Sequence, residues 1–108
     1  MNTSNKQYRI AFTNDCIQEM NRINEYISIV LYAPISAKLL MKKIDTIIQG
    51  LKEYNKMYMI IKQYKELTME FRRIMINNYV IIYTISEHNN TVYIVHMYYS
   101  RSNYLNKI

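Results

Sequence analysis

The sequence predicts an α+β domain in β-α-α-β-β-β order, a helical hairpin packed on a small, largely antiparallel sheet. Three observations carry this. Residues 8–12 alternate large apolar side chains with others. Residues 14–51 hold two amphipathic helical patterns separated by the one proline, Pro34. Residues 71–99 consist of apolar runs of strand length joined by short polar turns. The chain of 108 residues is expected to form one domain, with residues 1–6 as a polar tail.

The elements follow in order. Tyr8, Ile10 and Phe12 recur at the two-residue period of a half-buried strand. Thr13, Asn14 and Asp15 supply side chains that accept the free N–H groups of a helix start. Ile17, Met20, Ile23, Ile27, Val30 and Leu31 then stand at helical spacing and predict a first helix running up to the proline. Pro34 stops it and suits the first turn of the next, where the missing N–H is not needed. Leu40, Met41, Ile44, Ile47, Ile48 and Leu51 make the apolar stripe of the second helix, opposite Lys42, Lys43, Asp45 and Gln49. So short a connection should fold the two helices back on each other. Residues 53–66 show no period and read as a connector. Tyr54, Met57, Tyr58, Met59, Ile60, Ile61 and Tyr64 make it too apolar for a free linker, so it should lie against the domain or a partner.

The three predicted strands of residues 71–99 form a meander. Asn tolerates left-handed backbone, so Asn77 and Asn78 read as a two-residue hairpin turn. That turn sets Ile76 opposite Tyr79, Arg73 opposite Ile82 and Arg72 opposite Tyr83. One face then carries Arg72, Ile74, Ile76, Tyr79, Ile81 and Tyr83, and the other Phe71, Arg73, Met75, Val80 and Ile82. Both faces are apolar, whereas a small antiparallel sheet normally wets one of them. Helices cover one; the other should line a groove or seat a partner. A last strand, at residues 91–98, follows a polar turn at 87–90.

Composition narrows the chemistry. A single cysteine, Cys16, excludes an internal disulfide and fits a reducing cytoplasm. No apolar run is long enough to cross a bilayer, and residues 1–6 lack the apolar core of a secretory signal, so a cytoplasmic protein without a membrane partner is expected. The lone glycine, Gly50, excludes the glycine-rich phosphate loops. His88 and His96 have no Cys or carboxylate at ligand spacing, so neither metal nor cofactor is expected. The net charge of +6 favours a polyanion or an acidic protein as partner. Lys56, Lys62, Lys65, Arg72, Arg73, Arg101 and Lys107 gather on the connector and meander. What remains is RNA cleavage without metal, in which basic side chains help the ribose 2′-oxygen attack the adjacent phosphate and aromatic rings stack on bases.

Residues 71–85 (FRRIMINNYVIIYTI) and 98–108 (YYSRSNYLNKI), with the strand and helices before them, resemble the RelE/ParE toxins of bacterial type II toxin–antitoxin pairs. The resemblance runs from Tyr8 to the end. It implies a cognate antitoxin as partner and growth inhibition as the activity. The mechanism implied first is metal-independent, ribosome-dependent mRNA cleavage. On that mechanism Arg101 is similar to an arginine that contacts the scissile phosphate, with Tyr99 and Tyr104 flanking it. Arg73 is the further catalytic candidate, and Arg72, Lys62, Lys65 and His96 are candidates for holding RNA. The implied alternatives are a branch that binds DNA gyrase and needs no catalytic residues, and a decayed, non-toxic member. Two departures point toward these alternatives. Val80 stands where RNA-cleaving relatives often carry Arg, and Arg101 is followed by Ser102 instead of a second Arg.

Overall fold

In the computed structural model, which describes residues 7–108, Thr13 ends β1 (Arg9–Phe12) and caps α1 (Asn14–Glu25). Its hydroxyl accepts the Cys16 N–H at 3.1 Å and donates to the Val95 carbonyl at 2.8 Å, so the cap also ties the helix to the sheet. The polar tail expected at residues 1–6 lies outside the described residues.

The helical spacing of apolar residues continues to Leu31, but the regular helix does not. Residues Tyr26–Val30 widen into a π-helical turn, with the Leu31 N–H on the Tyr26 carbonyl at 3.0 Å. The Ala33 N–H then closes on the Ile27 carbonyl at 3.0 Å. Widening rotates the side chains that follow. Ile27 stays in the core, while Val30 and Leu31, expected there, face solvent. At the apex Tyr32 takes φ 52°, a left-handed conformation that is uncommon for a bulky residue. Pro34 then opens α2 (Pro34–Gly50), whose Ala37, Leu40, Ile44 and Ile48 are buried, as the stripe requires.

Four strands follow: β2 (Ile60–Tyr64), β3 (Met69–Ile76), β4 (Tyr79–Ser86) and β5 (Thr91–Tyr99). With β1 they make one mixed sheet of order β1-β5-β4-β3-β2, in which only β1 and β5 pair in parallel. Strand β2 corrects the reading of residues 53–66 as connector throughout. It is an edge strand whose register to β3 shifts between Ile60 and Lys62, and that irregularity breaks the two-residue period that would have announced it. The order is therefore β-α-α-β-β-β-β. Residues 53–59 remain the connector, and it lies against the domain. Arg72 donates to the carbonyls of Lys56 at 2.9 Å and Tyr58 at 2.7 Å, and the buried Tyr83 hydroxyl donates to that of Asn55 at 2.7 Å.

The hairpin register is the expected one: Ile76 opposite Tyr79, Arg73 opposite Ile82, Arg72 opposite Tyr83. Asn77 supplies the left-handed turn residue at φ 53°. On one face Ile74, Ile76, Ile81, Tyr83, Val92, Ile94 and Met97 meet the buried stripes of both helices in the main core. Ile94 and Met97 both reach this core although they stand three apart. A bulge in β5, between the pairings of Ile82 with His96 and Tyr83 with Ile94, turns Val95 and His96 to the other side. Among the described residues no helix is long and apolar enough to cross a membrane.

Two outcomes follow from the Thr13–Cys16 corner. Thr13→Ala should lower stability by about 1–2 kcal/mol in urea titrations, since one hydroxyl serves both the cap and the strand. Cys16 is fully buried, and burial, helped by the Glu19 charge, pushes its thiol from 9.0 up to about 12. Because the folded value is raised, the linked stabilisation is complete below pH 9 and is lost as pH rises toward about 12. At about pH 8 the thiol of the native chain should stay unlabelled by a disulfide reagent until denaturant unfolds it.

Candidate functional site

The second sheet face is built by the residues that strand alternation and the β5 bulge turn away from the helices. Val80 and Ile82 lie at its centre, with Ile61, Phe71, Val95 and Tyr98 around them. The cover is the chain's own C-terminal segment. A 3₁₀ turn, Tyr104–Lys107, folds back so that Tyr104 is buried on Val80 and Ile82 and Ile108 packs beside it. Apolar contact is reinforced by cations. Arg73 Nη1 donates to the Tyr104 hydroxyl at 2.5 Å, and Lys62 Nζ donates to the Ile108 main-chain oxygen at 2.5 Å. The Tyr64 hydroxyl reaches the same oxygen at 3.2 Å, and Lys107 Nζ sits 4.8 Å from the centre of the Tyr98 ring. Sequence reasoning did not foresee this cover, although Tyr104 and Ile108 stand at the four-residue spacing that marks one face of a helical turn.

The structure therefore brings some of the expected site residues together and separates others. Arg73, Tyr104, Lys62 and His96 share the second face. His96 stacks on Tyr98 with ring centres 4.8 Å apart, and its Nδ1 stands 3.1 Å from both Glu19 oxygens. Glu19 also accepts the Met97 N–H at 3.0 Å, so the pair fastens α1 to the β5 bulge. Tyr99 lies with the helix-covered face, its ring 5.1 Å from that of Tyr79. Lys65 is exposed in the turn between β2 and β3. Arg101 is exposed in the turn after β5 and makes no hydrogen bond or ion pair among the described residues.

Arg72 has a structural assignment. At 8% exposure it donates Nη1 to two connector carbonyls, while Nη2 lies 3.5 Å from Glu70. Its guanidinium is thus committed to holding residues 56–58 against the sheet. Burial also pushes the Tyr83 phenol well above its usual range, the nearby Arg72 charge opposing this in part. Tyr98 rises to about 12 by burial and by the charges of Glu19 and Asp15. Neither phenol is poised as a proton donor or acceptor near neutral pH. Beside the cover, Thr13, Asp15, Phe71, Val95, His96, Lys107 and Ile108 line an open hollow of about 270 Å³. That is below the roughly 300–1,000 Å³ of ordinary ligand pockets. Among the described residues no group of three His, Cys, Asp or Glu side chains is placed to hold a metal ion.

A helical hairpin on a five-stranded mixed sheet in this order is a RelE/ParE-like fold. Residues 10–104 match the family model described as the ParE toxin of the type II toxin–antitoxin system parDE, and the chain belongs to that family. Among solved structures it is similar to the chromosomal ParDE toxin–antitoxin system of P. aeruginosa. That similarity has a TM-score of 0.69 at 11% identity, over 87% of this chain and 97% of that one. The archaeal RelE–RelB complex of Pyrococcus horikoshii matches with a TM-score of 0.55 at 12% identity, over 89% and 99%. The RelBE2 complex of Mycobacterium tuberculosis matches with a TM-score of 0.54 at 16% identity, over 86% and 91%. At such identities the structures speak for the fold alone. No curated protein matches the chain.

Two substitutions separate the structural arginine from the exposed one. Arg72→Ala should lower stability by about 2–3 kcal/mol in urea titrations, since it strips the donor from two connector carbonyls, those of Lys56 and Tyr58. Arg101→Ala should change it by less than about 0.5 kcal/mol.

Proposed function

We propose that the chain is the toxin of a type II toxin–antitoxin pair, acts by binding DNA gyrase, and does not cleave mRNA. The observation that carries this is the state of the second sheet face. RNA cleavage needs basic side chains free to meet a scissile phosphate. Here Arg73 and Lys62 are bonded to the chain's own C-terminal segment, and Arg72 is buried on connector carbonyls. Val80, fully buried at the position where RNA-cleaving relatives often carry Arg, adds no charge. Of the expected catalytic set only Arg101 and Tyr99 stay open to solvent. A binding mechanism needs none of these groups. The ParE family match supports the gyrase branch, which the sequence resemblance offered as an alternative to mRNA cleavage.

The structural relatives are toxins with antitoxins, and a cognate antitoxin in the cytoplasm is the partner we carry over to this chain. Induction in a bacterial host, followed by pulse labelling, tests the mechanism. DNA synthesis should stop before protein synthesis, with mRNA intact, and Arg101→Ala should inhibit growth as the wild type does. Early failure of protein synthesis with cleaved mRNA, relieved by Arg101→Ala, would establish RNA cleavage instead. Unchanged growth on induction would mark a decayed toxin.

A further inference from the structure

We propose that the apex of the helical hairpin is the surface by which this chain docks into gyrase, inserting as a knob into an apolar pocket rimmed by carboxylates. The proposal rests on the gyrase-binding reading and adds the place and chemistry of contact. Ile29, Val30, Leu31, Tyr32, Ile35 and Leu39 are all exposed, within eleven residues of sequence, and Tyr32, Ile35 and Leu39 reach 89%, 76% and 62%. Clustered apolar exposure of this kind marks a contact surface.

The apex is a projection. Side chains exposed to that degree stand clear of the rest of the fold, so they fit a pocket on a large folded partner. A short extended segment would need a groove to lie in. The backbone is arranged to hold them out. A π-helical turn rotates residues 29–31 away from the core, and Tyr32 is kept at φ 52°. Departures of this kind cost free energy and cluster at functional sites. A solvent-exposed tyrosine receives no compensating contact from the chain itself.

Charge selects among occupants. Between residues 26 and 41 the only charged side chain is Lys38, and Lys42 follows on the solvent side of α2, while Lys43 Nζ donates to Asn77 Oδ1 in the β3–β4 turn at 3.0 Å. On α1 the nearest charges, Arg22 and Glu25, cancel. The rim is therefore cationic. A second copy would set lysines against lysines, whereas a partner with carboxylates around its pocket gains attraction and a faster encounter.

The test is binding of purified gyrase to the wild type, to Tyr32→Gly with Ile35→Ser and Leu39→Ser, and to Leu67→Ser as an exposed apolar control on the far side of the connector. Tyr32→Gly alone also removes the left-handed penalty, so its thermal midpoint should not fall. Loss of an aromatic anchor with its neighbours should weaken gyrase binding by about 30-fold or more, leaving the circular dichroism and the affinity for the antitoxin unchanged. Lys38→Glu with Lys42→Glu should weaken it too, and Leu67→Ser should not. Equal binding of gyrase by the wild type and the triple variant overturns the proposal. So does a triple variant that loses only the antitoxin, or a wild-type dimer that the triple variant dissolves. A wild type that does not bind gyrase at all removes the underlying reading, and the proposal with it.

Discussion

A hairpin that is apolar on both faces must be covered twice. Asn77 fixes the register of β3 on β4, and with side chains alternating at a period of two that register decides both faces at once. Ile74, Ile76, Ile81 and Tyr83 go to the helices, while Phe71, Val80 and Ile82 go to the other side. Water is a poor cover for that second set, since each fully buried aliphatic side chain is worth about 1.5–3 kcal/mol. Among the described residues there is no further long helix to spare. The chain uses five residues at its C-terminal end instead, with Tyr104 as the anchor.

The electrostatics of the second face follow from this cover. Arg73 is held by a phenol hydroxyl and Lys62 by the Ile108 main-chain oxygen, so the C-terminal segment fastens itself to the sheet through cations. Arg72, one residue away and on the opposite face, does comparable work on the connector carbonyls. Three basic side chains of one neighbourhood are thereby used as clasps. Other basic side chains stay openly displayed, among them Lys38 and Lys42 on α2, Lys65 and Arg101, and a cluster of exposed apolar side chains lies at the hairpin apex beside the α2 lysines.

Much of this was legible in the sequence because it depends on local rules. Thr13 at a helix start, Pro34 in a first turn, the α2 stripe and the Asn77 turn each act within a few residues, and the structure agrees with each. What was not legible depends on irregularity or on distance. Strand β2 carries a register shift that erases its period. The π-helical turn leaves the apolar spacing of α1 intact in the sequence while sending Val30 and Leu31 to solvent. The opposite faces of Arg72 and Arg73 followed from the turn, but the partners that occupy them come from residues 14 or more positions away. Tyr99 and Tyr104, near neighbours in sequence, fall on different faces because the chain reverses between them.

The closed second face is the claim on which the account stands, and methyl NMR with a soluble paramagnetic probe addresses it most directly. The account predicts nuclear Overhauser contacts from the Tyr104 ring to the methyls of Val80 and Ile82, and no broadening of those methyls by the probe. Broadened Val80 and Ile82 methyls, with Tyr104 showing the averaged shifts of a free tail, would contradict it and return an open, cationic face to the molecule.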